Sequence, residues 1–217
     1  VKIRFSKVLQ TITLKCVDVN KYRVEEGLNM PRIAPIPMEE LSFQSRAIVE
    51  AGVAEGLYAT AVPLQIFAYR SAQLAQVSIA RTHMGADTLL GGRILELIRI
   101  RSAQLGECEP CSRSRKHDSI TDNDVACLLD AGYGNLSPQE KMAVEFIDLL
   151  SADHHAIDDE VYRRLSEHFT AAQIIELGFT SAAAMGMHRF IHTLDIYGES
   201  DSVIDYSPDQ VDSAKAT

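Results

Sequence analysis

Two cysteines three residues apart can carry redox chemistry, and this chain has such a pair in "ELIRIRSAQLGECEPCSRSRKHDS", residues 96–119. Cys108 and Cys111 form a Cys-x-x-Cys, with Glu96 twelve residues before Cys108 and Arg113, Arg115, Lys116 and His117 just after Cys111. On a helix the i, i+3 spacing puts both sulfurs on one face, within reach of a disulfide after a small rotation. A thiolate with a resolving partner is the minimal apparatus of thiol redox chemistry. It attacks a peroxide oxygen or a disulfide sulfur, and the second cysteine resolves the product. A helix N-terminus favours the thiolate, as do Arg113 and Arg115, whereas Glu107 and Glu109 oppose it. Glu96 is a candidate acid/base if burial raises its pKa. Two other readings stay open. The pair is half of a zinc site, for which Cys127, Cys16 and His117 are available at a spacing that matches no known zinc module. Or the cysteines are small core residues and Glu96 is an exposed helix carboxylate paired with Arg93 or Arg99.

These residues need a scaffold, and the sequence predicts an all-α one. Helical periodicity runs through "LSFQSRAIVEAGVAEG", through "VPLQIFAYRSAQLAQVSIARTHMG" as one helix closing near Gly85, and through "ADTLLGGRILELIRIRSAQLG". Gly106 then reads as the turn of an αα-hairpin, with both cysteines in the first turn of the second helix. Residues equidistant from Gly106 face one another, so Glu96 meets Lys116 and its neighbours Arg115 and His117. Capping boxes open later helices at Thr121/Asp124, Ser137/Glu140 over Pro138, and Thr170/Gln173. A last helix, about 171–194, contains "GFTSAAAMGM", read as helix packing or a subunit contact. Short connections predict antiparallel neighbours.

Residues 1–29 differ: they carry six Lys+Arg against three Asp+Glu and a strand-like pattern, whereas the remainder carries 15 against 27. The proline-punctuated "NMPRIAPIPMEEL" follows. The expectation is a domain starting at Met30 and running to 196, after an upstream extension, a misassigned start or a β-hairpin appendage. A polar tail covers 197–217.

A formal net charge of -9 argues against a nucleic-acid binder. No stretch of 18 apolar residues offers a transmembrane helix, and the basic N-terminus lacks a signal peptide's apolar core. Four cysteines are too few for a disulfide scaffold, so a cytoplasmic setting is expected. His188 and His192 stand at i, i+4 but lack an acidic partner, and read as interface or surface histidines. "DHH" at 153–155 reads as a solvated loop. No phosphate loop points to a nucleotide cofactor.

Glu96, eleven residues, Cys108, two residues and Cys111 together resemble the core signature of the carboxymuconolactone decarboxylase superfamily, and within it the alkyl hydroperoxidase D-like branch. "MPRIAPIPMEEL" is similar to a common opening of these proteins. "LSPQEKMAVEFIDLLSADHHAIDDEVYRRLSEHFTAAQIIELGFTSAAAMGMHRFIHTLDI" is similar to their second half. The resemblance covers about residues 30–196. It implies a helical bundle assembling as a homotrimer or hexamer, with no cofactor beyond a redox-active Cys108–Cys111 disulfide. It implies a peroxidase-like thiol oxidoreductase acting on a peroxide or disulfide, recharged by a thiol electron-donor protein. Cys111 is then the nucleophile, Cys108 the resolver and Glu96 the relay carboxylate. The chain departs from the pattern four residues past Cys111, where Arg115 replaces the relay histidine. Arginine stays protonated, so it can stabilise a thiolate, pair with Glu96 or hold an anion, but not shuttle a proton. His117 lies about 200° around a helix from Arg115. Two alternatives remain: a decarboxylase-like lyase holding a carboxylated lactone through Arg115, and a non-catalytic redox-sensing helical oligomer.

Overall fold

The computed structural model describes residues 31–196 except 57, 59 and 131, and only the backbone of 81–86 and of Pro110. The expected extension over 1–29 and the tail over 197–217 lie outside the described residues. Those described are helical with no strand: α1 (Phe43–Ala54), α2 (Val62–Phe67), α3 (Ser71–Ala86), α4 (Gly92–Leu105), α5 (Glu109–Arg113), α6 (Asp122–Cys127), α7 (Pro138–Ala152), α8 (Asp159–Ser166) and α9 (Ala171–Thr193). All three expected capping boxes form, each with its reciprocal pair of side-chain to backbone bonds. Asp158 caps α8 by accepting from the amides of Glu160 and Val161.

Two expectations need correction. The predicted helix from Val62 to Gly85 is broken into α2 and α3. Bonds from the amides of Tyr69 and Arg70 back to Ile66 and Phe67 tighten the chain there. No glycine or proline marks the break, so the apolar period runs through it. The second correction concerns direction. Arg93 bonds Glu140 and Arg101 bonds Asp148, both at an offset of 47 residues. Leu90 meets Glu176 and Ser102 meets His188, both at an offset of 86. Constant offsets mean that α7 and α9 run parallel to α4, not antiparallel. The lengths of chain carrying α5–α6 and then α8 make the return journeys.

α4 is the shared member of the core. Ala103 packs with Val49, Leu64, Phe67, Leu74 and Ile191. Ile94 and Ile98 pack with Phe146, Ile147, Leu165 and Leu177, and Leu97 and Ile100 with Ile120, Leu128 and Val144. A helix surrounded in this way must pair its charges. Arg93 bonds Asp124 and Glu140, which are the third residues of the two capping boxes opening α6 and α7. One guanidinium therefore fixes two helix N-termini. Arg101 takes both oxygens of Asp148 at 2.6 and 2.8 Å, and Asp148 also accepts from the Tyr133 hydroxyl at 2.8 Å. Burial and that bond to Asp148 push the Tyr133 phenol well above its usual range.

The Arg93 hydrogen bond, assisted by Thr121 and opposed by burial, holds the Asp124 carboxyl far below the usual carboxylate range. A carboxyl depressed in the folded state stabilises above its unfolded pKa, and that contribution is lost as pH falls through the folded value. Stability should therefore decline below about pH 4. Arg93→Met should cost about 1–3 kcal/mol at neutral pH, reduced from the fully buried case because Arg93 is partly exposed. It should also flatten the acid limb. Urea unfolding of both proteins at pH 7 and pH 3 checks this, and equal acid sensitivity would refute the assignment.

Candidate redox site

The site is built on the end of α4. The Cys108 amide donates to the Ala103 carbonyl at 2.9 Å and the Glu107 amide to the Gln104 carbonyl at 3.2 Å. This is a Schellman ending, in which one residue past the cap turns left-handed. That residue is Glu107, with φ 54°, whereas Gly106 has φ -96°. The expected glycine turn is thus displaced by one residue. Gly106 is needed for a different reason: a Cβ there would stand 3.1 Å from the Cβ of His188, where α9 crosses close.

Cys108 follows in the turn, and its carbonyl accepts from the Ser112 amide at 3.0 Å. It therefore caps α5 from outside, a correction to its expected place in the first helical turn, while Cys111 lies inside α5. The two form a disulfide with Cα atoms 5.3 Å apart. Cys108 is only 3% exposed; Cys111 is half-buried. α5 has five residues, so its dipole is a minor influence on either sulfur.

Residues 108–117 fold back along α4, and Glu96 does meet Lys116: the Lys116 backbone amide donates to the Glu96 carboxylate at 2.8 Å. Glu96 is buried, at 5% exposure. Its other donors are Nε and Nη2 of Arg99, at 2.7 and 2.8 Å. The same guanidinium donates to the carbonyls of Cys111 and Ser114, each at 2.6 Å. Arg99 thus joins the buried carboxylate to the backbone of Cys111. The sequence reading offered Arg99 only as a surface partner of Glu96; a carboxylate and an arginine three residues apart were the visible signal. The Lys116 ammonium reaches the Gly56 carbonyl at 2.9 Å and lies 5.9 Å from the Tyr58 ring centroid.

Arg115 is engaged elsewhere. Its guanidinium donates to the carbonyls of Ser112 and Arg113 at 2.9 and 2.7 Å and to Asp122 at 3.2 Å. It closes the end of α5 and forms no hydrogen bond with Glu96 among the described residues. The His117 Nδ1 bonds the Ser119 hydroxyl at 2.7 Å, and its ring lies against Gly92, where a Cβ would meet Cδ2 at 2.5 Å. Arg99, which holds Cys111, lies seven residues further along α4, about 10 Å of rise. His117 and the sulfurs are therefore at different levels of α4.

Two α9 histidines complete the surroundings. His188 is buried with Nδ1 2.9 Å from the Ser102 hydroxyl, and His192 places Nδ1 3.2 Å from the Glu107 carbonyl. His192 holds the turn that carries Cys108 and His188 the last part of α4 before it, roles invisible in their i, i+4 spacing. Cys127 is buried against Gly134, away from the pair. No group of three or more metal-ligating side chains is gathered among the described residues. "DHH" forms a short exposed 3-10 turn capped by Asp153. No helix among the described residues is long and apolar enough to cross a membrane.

Comparison with known proteins finds no protein-family model, no curated protein and no solved structure that matches this chain. The family resemblance rests on the residues quoted above.

The turn yields a paired prediction. Glu107→Gly relieves a left-handed non-glycine residue and should stabilise by about 0.5–1 kcal/mol. Gly106→Ala should destabilise by about 1–3 kcal/mol, because α9 must move away. Urea titration of the two variants checks the order, and a Gly106→Ala as stable as Glu107→Gly would contradict it.

Proposed function

We propose that this protein is a peroxidase-like thiol oxidoreductase that cycles Cys108 and Cys111 between dithiol and disulfide. The observation that carries the reading is the joined pair itself, set in a turn clamped from α4 by Arg99 and from α9 by His188 and His192. In the reduced protein the Cys111 thiolate attacks the outer oxygen of a small-molecule peroxide. The O–O bond breaks, the departing alkoxide takes a proton from solvent, and a sulfenic acid remains. The Cys108 thiolate then attacks that sulfur, and the hydroxide it displaces takes a proton from solvent and leaves as water as the S–S bond forms. Two electrons pass from the dithiol to the peroxide. An external thiol electron-donor protein returns them by disulfide exchange.

The burial difference supports this division of labour, because the attacking sulfur needs access and the resolving one does not. Glu96 and Arg99 act as positioning residues. The carboxylate already accepts three N–H donors, and Arg99 uses it as a base from which to hold the Cys111 carbonyl. In this reading Glu96 is not the relay that the resemblance implies, and protons come from solvent. The lyase reading needs Arg115 to hold a substrate carboxylate, but its two terminal nitrogens already bond carbonyls 112–113 and Asp122, and its remaining donor, Nε, is buried. A homotrimer or hexamer and a cytoplasmic setting complete the proposal.

Peroxide added to the reduced protein should regenerate the Cys108–Cys111 disulfide, read by mass spectrometry of the alkylated product. In Cys108→Ser the reaction should stop at a Cys111 sulfenic acid. Arg99→Lys keeps the charge but loses the planar fork; it should slow disulfide formation by about tenfold or more. Glu96→Gln should slow it less, because an amide oxygen still accepts. A reduced pair indifferent to peroxide, with Cys111 alkylating as a free thiol of pKa near 8.5, would overturn the proposal.

A further inference from the structure

α9 turns one face to the dithiol turn and another to solvent, and the outer face has an internal symmetry. Ile175, Phe179, Ala182, Ala183, Gly186 and Phe190 are all exposed, with Ile175 at 73%, Phe179 at 71% and Phe190 at 49%. At 100° per residue these six fall within an arc of about 100°, extending about 22 Å along the helix. None is polar or charged. The flanking charges turn to their own chain: Glu176 accepts from the amides of Leu89 and Leu90, and Arg189 donates to Ser151. Isolated exposed apolar residues are ordinary on a surface; a continuous apolar face of this length is not.

Ile175 and Phe190 lie equally far from the midpoint between Ala182 and Ala183, as do Phe179 and Gly186. An antiparallel copy of the helix centred on that midpoint brings Ile175 level with Phe190 and Phe179 level with Gly186, and sets each central alanine beside its own counterpart. Each bulky side chain other than the terminal pair meets a small one. Phe179 and Gly186 lie within about 10° of the stripe's centre line, so of the three pairs they face most directly across a two-fold axis. A Cβ at Gly186 would meet nothing within 4 Å, so the hole for Phe179 is open.

We infer that this face of α9 pairs with the same face of a second copy of this chain, two-fold related, with Phe179 seated over Gly186 of the other copy. Covering it on both copies removes on the order of 1,000 Å² of surface, at the threshold for a specific interface. The absence of any charge on the stripe fits an apolar, self-complementary occupant. A two-fold contact closes after two copies. It cannot build a trimer, but it can make a dimer or join two trimers into a hexamer. The inference is independent of the thiol chemistry.

Sedimentation equilibrium of the full chain over a wide micromolar range tests it. A dimer or hexamer is expected. Phe179→Glu and Gly186→Lys, both at exposed positions, should each weaken the two-fold association by about thirtyfold or more, the size of a central aromatic hot spot. Combined in one chain, the two substitutions set a carboxylate against an ammonium of the other copy twice over, so the double variant should associate more tightly than either single one. A wild type that stays monomeric or stops at a trimer would overturn the inference. So would an even-numbered assembly insensitive to both substitutions, or a double variant weaker than both singles.

Discussion

A helix with neighbours on every side cannot leave a charge unmatched, and α4 carries three arginines and a glutamate into that position. Each unpaired charge there would cost several kcal/mol, so the partners decide where the surrounding elements sit. Arg93 fixes the starts of α6 and α7, Arg101 fixes the middle of α7, and Glu96 with Arg99 fixes the chain returning through the cysteines. The apolar residues between them supply the burial. Fold and candidate site therefore share one structural origin: the network that orients the helices also fixes the backbone of Cys111.

The dithiol turn shows how constraints from two helices meet. The end of α4 dictates a left-handed residue one place before Cys108, and the close approach of α9 dictates a glycine one place earlier. Glycine stands at the crowded position, and the left-handed one falls to Glu107. Its carbonyl is held by His192, and Ser102, one turn back on α4, by His188. The cysteine spacing thus sits in a support wider than its own short helix. α9 in turn has one face committed to this support and the opposite face open and apolar, so the element that shapes the site is also the one offered to a neighbour.

Much of this was readable in the sequence because it is local. The helix starts followed from a hydroxyl answered three residues on by an acid or an amide, and all three capping boxes formed. The Cys-x-x-Cys placed two sulfurs within bonding reach, and the fold-back about Gly106 brought Glu96 to Lys116. The all-α class followed from apolar periods alone.

What depends on distant parts of the chain was decided by tertiary structure. Parallel α4, α7 and α9 cannot be inferred from connection length, because the small helices between them absorb the return path. Arg99, not Arg115, binds Glu96, because the fold-back sets residues 111–114 over the face of α4 that carries both Glu96 and Arg99. His188 and His192 read as interface or surface residues; His192 is exposed, but His188 is buried where α9 lies beside the end of α4. The sequence by itself determined which helices form and which sulfurs can join, since both are set within a few residues. Only the tertiary structure decided which charges are buried together, because that depends on helices packed across offsets of 47 and 86 residues.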